Sequence, residues 1–107
     1  MAAMPTRSGL HGHTHLPVAY IEEDGRLETM SPGSGSKLTI DGRRVLLNPG
    51  SVGQPRDGIP TAGWMLLDTD AGTATWRRTA YDISEVQAAM ARLSLPERLV
   101  ARLAYGL

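Results

Sequence analysis

Three histidines, His11, His13 and His15, fall in one five-residue run, His11-Gly12-His13-Thr14-His15. Neutral imidazole is the commonest metal-binding side chain near physiological pH. Alternate residues of an extended segment share a face with Cα atoms about 6.6 Å apart, from a rise near 3.3 Å per residue. Two-metal hydrolases hold their ions roughly 3.5–4 Å apart. Imidazoles converging from positions 13 and 15 can therefore each address one ion of a pair. Gly12 suits a sharp bend or a close approach that a Cβ would obstruct, and Pro17 stiffens the exit. A catalytic metal normally has three protein ligands and a structural zinc four. His13 and His15 supply two, and His11 offers a third. Without further ligands the same run is an exposed histidine-rich loop that holds no metal.

A second stretch, Asn48-Pro49-Gly50-Ser51-Val52-Gly53-Gln54-Pro55-Arg56, combines turn chemistry with groups that favour anions. Pro49 fixes φ, Gly50 permits a left-handed turn, and Ser51 offers a hydroxyl and an amide. Such a turn can aim N–H groups at a phosphate, or it can simply end a strand. Arg56 is the best anion contact in the chain, because guanidinium pairs two N–H groups with phosphate oxygens; a solvated loop arginine is the plain alternative. Glu22, Glu23 and Asp24 lie close to the histidines in sequence but read as a polar hairpin tip.

Eleven basic residues balance eleven acidic ones, which removes the electrostatic case for nucleic-acid or membrane-surface binding. The absence of Cys excludes disulfides, thiolate zinc sites and a cysteine nucleophile. Apolar runs fall far short of a membrane span, and the start lacks a signal peptide's apolar centre. A cytoplasmic chain is the expectation. Phe is absent, so two Trp and three Tyr supply the aromatic bulk of a modest core.

The elements that must position these groups follow from the pattern. Residues 1–11 read as an irregular N-terminus. Val18–Ile21 and Arg26–Met30 read as strands around a Glu22-Glu23-Asp24-Gly25 turn. Ser31–Ser36 reads as a surface loop. Lys37–Ile40 and Arg43–Leu47 flank Asp41-Gly42, a hairpin signal, and Trp64–Asp68 and Thr73–Arg78 flank a longer turn. Trp64 and Trp76 read as core or sheet-face packing, and Arg77-Arg78 as a solvated edge that discourages strand addition. Asp82-Ile83-Ser84-Glu85 is a capping-box pattern. Ile83, Val86, Met90 and Leu93 then follow helical spacing. Ser94-Leu95-Pro96-Glu97 repeats the cap signal before Leu99, Val100 and Leu103. Strands followed by two helices fit a sheet covered on one face.

Gly12–Pro17, Asn48–Gly58 and the end from Tyr81-Asp82-Ile83 through Leu95-Pro96-Glu97-Arg98-Leu99 together resemble the calcineurin-like metallophosphoesterases, specifically their small bacterial phosphodiesterase branch. The resemblance runs from Gly12 to the C-terminus. It implies an α/β class, α+β-like for this portion. The chain would be the C-terminal half of a four-layer α/β/β/α sandwich, with residues 12–107 supplying hairpins of one sheet and its covering helices. It implies phosphomono- or phosphodiester hydrolysis by two divalent ions (Mn, Fe, Zn or similar) on a phosphate-ester substrate. His13 would be the ligand of the second metal and His15 that of the first, and Gly12, Asn48, Ser51 and Arg56 would be phosphate or loop contacts.

The family's other ligands come from Asp-x-His, Gly-Asp and Gly-Asn-His-Asp/Glu motifs, and none of these occurs here. The expectation is therefore a truncated C-terminal portion, inactive alone, with an open sheet face covered by self-association or a companion chain. The contrasting expectation is a non-catalytic module that binds a divalent ion weakly or pairs with another protein.

Overall fold

Alternation of apolar and polar residues through Val18–Glu23 and Thr73–Thr79 gives each segment one face to bury. The computed structural model, which describes residues 4–107, buries both faces against each other. Its strands are β1 (Ser8–Leu10), β2 (Val18–Glu23), β3 (Arg26–Met30), β4 (Lys37–Thr39), β5 (Arg44–Asn48), β6 (Ala62–Asp68) and β7 (Thr73–Thr79). Helices α1 (Ile83–Arg92) and α2 (Glu97–Ala101) follow, and a 3-10 turn spans Arg102–Tyr105. One sheet has the order β1-β5-β2-β3 and the other β4-β7-β6. Ala19, Ile21, Val45 and Leu47 from the first meet Leu38, Ala74 and Trp76 from the second in a single core. Among the described residues no helix is long and apolar enough to cross a membrane.

Several expectations change here. The irregular N-terminus was expected to extend to residue 11. Residues 1–3 lie outside the described residues, but Ser8–Leu10 is a strand paired in parallel with Val45–Leu47. That edge of β5 carries backbone groups that need partners once Val45 and Leu47 are buried.

The turn read over Glu22–Gly25 narrows to Asp24-Gly25, because Glu22 and Glu23 still pair in β2, and it closes the β2–β3 hairpin with φ of 51° and 74°. Asp41 and Gly42 adopt nearly the same values, 50° and 71°, and the Arg43 amide donates to the Ile40 carbonyl at 3.0 Å. Yet β4 pairs with β7, whereas β5 pairs with β1 and β2. The expected hairpin is a corner that carries the chain from one sheet to the other. The expected single sheet with an open face is two sheets, each covering the other.

The helices also depart from expectation. Asp82 caps α1 as read, its carboxylate accepting from the Glu85 amide at 3.1 Å. The second helix starts at Glu97 behind Pro96, with no side-chain cap. Ser94, read as that cap, instead takes a left-handed φ of 58°. Neither α1 nor α2 buries a residue, so they do not form a layer over a sheet. They pack on one another, with Gln87 Nε2 donating to the Val100 carbonyl at 2.9 Å. The molecule extends to 51 × 25 × 20 Å.

Candidate metal centre

The histidine loop leaves the end of β1 and enters β2, so both ends are anchored in one sheet. Within it the His15 amide donates to the Gly12 carbonyl at 3.1 Å, closing a turn. His15 takes φ of 61°, a region that costs a non-glycine residue energy and that persists where surroundings enforce it. Two contacts do the enforcing. The Asn48 amide group donates to Thr14 Oγ1 at 3.0 Å, and His15 Nδ1 lies 2.8 Å from the Gln54 carbonyl. A carbonyl only accepts, so Nδ1 carries the proton in this bond. In a neutral ring this bond leaves the lone pair on Nε2, the tautomer that metal-bound histidines adopt when a carbonyl holds the other nitrogen.

His13 and His15 differ. His15 is half-buried and oriented, and His13 is exposed. His11 packs against Tyr20, with ring centroids 6.2 Å apart, so its ring serves the sheet. Gly12, expected to allow a bend or a close approach, opens the turn closed by the His15 amide, and a Cβ there would meet nothing within 4 Å. Among the described residues no group of three or more His, Cys, Asp or Glu side chains stands close enough to hold a metal. His13 and His15 supply two imidazoles, short of the three protein ligands that a catalytic metal normally has.

The turn beside the loop is built around Asn48, which is fully buried. Its Oδ1 accepts from the Gly50 amide at 2.9 Å, and its carbonyl accepts the indole N–H of buried Trp76 at 2.9 Å. Of the two readings of Asn48, a phosphate or a loop contact, its side chain makes loop contacts at both ends, to Thr14 and Gly50. Ser51 Oγ accepts from the Gln54 amide at 2.9 Å, which curls the segment so that the Gln54 carbonyl meets His15. Arg56 is exposed, and its Nη2 lies 3.3 Å from Gln54 Oε1. Glu22 and Glu23 face Arg44 and Arg43 at 3.9 and 3.7 Å, which occupies them at the hairpin tip.

Arg78, read from sequence as a solvated edge, is the residue that reading missed. β7 is the middle strand of its sheet, and the Arg78 side chain is 11% exposed. Its Nη2 donates to Asp57 Oδ1 and to the Ile59 carbonyl, both at 2.8 Å. It clamps the far end of the 49–61 loop whose near end orients His15. A Cβ on Gly63 would come within 2.8 Å of Arg78 Nη1, so a small residue opposite the arginine is the sole trace of this role in the sequence. Trp64, grouped with Trp76 as packing, is 40% exposed and donates to Thr79 Oγ1 at 2.8 Å.

A sandwich of two sheets with this histidine loop at one corner matches part of the metallophosphoesterase fold. The crystal structure of a metallophosphoesterase from Sphaerobacter thermophilus superposes with a TM-score of 0.93 at 39% sequence identity, over 99% of this chain and 44% of that one. An uncharacterised protein of Methanocaldococcus jannaschii is 38% identical over 96 residues, 89% of this chain and 37% of its own length. The chain therefore spans about two fifths of each relative. No family profile matches it.

Proposed function

We propose that this chain carries the histidine-loop portion of a calcineurin-like metallophosphoesterase, with His13 and His15 as ligands of divalent ions. Hydrolysis of a phosphate ester would then belong to an assembly that supplies the remaining ligands. The observation that carries this reading is the 2.8 Å contact of His15 Nδ1 with the Gln54 carbonyl. It holds Nε2 available in a loop whose strained residue is fixed from two sides. Gly12, Ser51 and Arg56 would line the phosphate side of such a centre. The chain alone, with two imidazoles, binds a borderline ion without turning over substrate, since a competent catalytic metal has about three protein ligands.

Calorimetry tests this. Imidazole prefers Zn²⁺ or Ni²⁺, and Mg²⁺ prefers oxygen. The chain should bind Zn²⁺ well ahead of Mg²⁺, lose most of that affinity in His15→Ala, and leave bis-p-nitrophenyl phosphate unhydrolysed with Mn²⁺. Zn²⁺ binding unchanged after replacing both His13 and His15 would refute the ligand assignment. Mn²⁺-dependent turnover abolished by His13→Ala would refute the claim that the chain needs other ligands.

A further inference from the structure

A positive charge on the inward face of a strand is costly unless it is paired and hydrogen-bonded. Every second residue of β7 turns inward, so Arg78 follows Ala74 and Trp76 onto the face that carries the core, and Arg77 turns to solvent. Asp57 answers the Arg78 charge at 2.8 Å. The guanidinium does more than meet a carboxylate. Its Nη2 also donates to the Ile59 carbonyl at 2.8 Å, and its Nε donates to Thr61 Oγ1 at 3.3 Å. One planar fork thus holds three alternate residues of the segment that runs into β6. A lysine ammonium, a compact point charge, lacks that fixed reach.

Three residues before Asp57 stands Gln54, whose carbonyl meets His15 Nδ1 at 2.8 Å. A chain spans at most about 3.6 Å per residue, so where Asp57 is held, Gln54 has little freedom. Pro55, between them, is fully buried. On the near side the Gln54 amide donates to Ser51 Oγ at 2.9 Å, and the Gly63 amide donates to the Ser51 carbonyl at 2.8 Å. Arg78 runs past that same glycine. A Cβ on Gly63 would stand 2.8 Å from Arg78 Nη1, 3.3 Å from the Pro49 carbonyl oxygen and 3.5 Å from the Ser51 nitrogen. The arginine therefore crosses the neck of the 49–61 loop, bonded to its far arm and close to its near one.

We propose that Arg78, paired with Asp57, is a positioning residue for His15. It acts through the loop: with the neck closed, the Gln54 carbonyl stays on Nδ1, and the proton stays off Nε2. The inference rests on the reading of His15 as a metal ligand. It extends the support of that ligand from one carbonyl to a buried arginine on β7. Loss of an outer partner of a metal-binding histidine typically weakens the site by about 10–100-fold. Arg56 offers no such support, being exposed and bonded only to Gln54 Oε1 of its own loop.

The test uses the full chain and begins without metal. Ring-nitrogen resonances at about pH 8.5, above the ordinary imidazole range, report which nitrogen of His15 carries the proton. The wild-type chain should show one tautomer, protonated on Nδ1. Combining Arg78→Met with Asp57→Asn removes the clamp and leaves no buried charge unpaired. The two His15 nitrogens should then drift toward a mixture of tautomers, with amide protection in β2, β5 and β7 retained. Zn²⁺ affinity, read by calorimetry, should fall at least about tenfold. Arg78→Lys keeps the charge and should shift the resonances the same way, which covers a double variant that fails to fold. Arg77→Met removes an equal charge from the outer face and should change neither readout. An unchanged His15 tautomer in a folded Arg78 variant would overturn the proposal and leave Arg78 a purely structural residue. An equal shift in Arg77→Met would overturn it too, because charge alone would then be the cause. A wild-type chain that binds no Zn²⁺ would refute the ligand reading, and the metal-free tautomer would still decide the positioning role.

Discussion

Around Asn48, donors and acceptors from the histidine loop, the 49–51 turn and β7 meet inside the sandwich at 2.9–3.0 Å. The helical tail beyond residue 82 buries no residue of α1 or α2. It reaches the rest of the chain through buried Leu103 and through the Gly58 amide, which donates to the Gly106 carbonyl at 2.9 Å. The corner is fixed by apolar burial and by polar groups that become costly if left unpaired. The tail is fixed locally, by its own turns and one docking point. A histidine loop with a strained residue can be kept in shape only where many contacts determine it, and the corner supplies them.

The sharpest way to break this comparison is Trp76→Ala. Trp76 is 2% exposed, fills the space between both sheets and holds the Asn48 carbonyl. Truncating a buried aromatic costs about 3–5 kcal/mol, comparable to the whole stability of a small domain. Chemical denaturation should show the sandwich largely unfolded. His15 should lose its contact with Gln54, read as a change in its ring-nitrogen resonances. A native-like melt would mean that the corner does not depend on the core.

A smaller effect is expected at the docking point of the tail. Gly106 has φ of 66°, and a Cβ there would stand 2.6 Å from the Ile59 backbone nitrogen. Gly106→Ala therefore combines left-handed strain with a clash against backbone that has little room to yield, for about 1–3 kcal/mol. The tail should detach and become sensitive to protease, while β2, β5 and β7 keep their exchange protection. If strand protection fell equally, the two regions would be one cooperative unit and the contrast between them would fail.

What the sequence revealed divides along similar lines. Local chemistry was legible: a hairpin between Val18 and Met30, the Asp82 cap and the separation of strands from helices all depend on neighbours within a few residues. Asp41-Gly42 marks the limit, because the same dihedral angles close a hairpin at one place and turn a corner between sheets at the other. The turn sets the direction of the chain, and the core decides which sheet receives the next strand. The partners of Asn48 could not be named and Arg78 was misread for a related reason. Their side-chain partners Thr14 and Asp57 lie 34 and 21 residues away, beyond any spacing rule. Of the candidate site, the histidine run was visible at once. The oriented tautomer of His15 was not, since it depends on a backbone carbonyl 39 residues downstream.

The least perturbing test lies within the tail. The Asp82 carboxyl is held below its ordinary value of 3.8, first by the Ser84 hydroxyl, which donates to it at 2.7 Å, and then by the Glu85 amide. Both bonds favour the ionised form. A carboxylate whose folded value is depressed contributes stability that is complete above its unfolded value and is lost as pH falls through the folded one. Acidification from pH 5 should therefore leave α1 intact until about pH 4, with fraying of its first turn below that. The amides of Ser84 and Glu85 should report it by faster exchange at constant sandwich protection, after correction for the intrinsic rate. Asp82→Asn keeps an N-cap oxygen and cannot titrate, so it should remove the pH dependence of the helix start while largely preserving the helix. A first turn that frays below pH 4 as readily in Asp82→Asn as in the wild-type chain would place the acid sensitivity elsewhere in the tail. The cap would then be one contact among several holding α1.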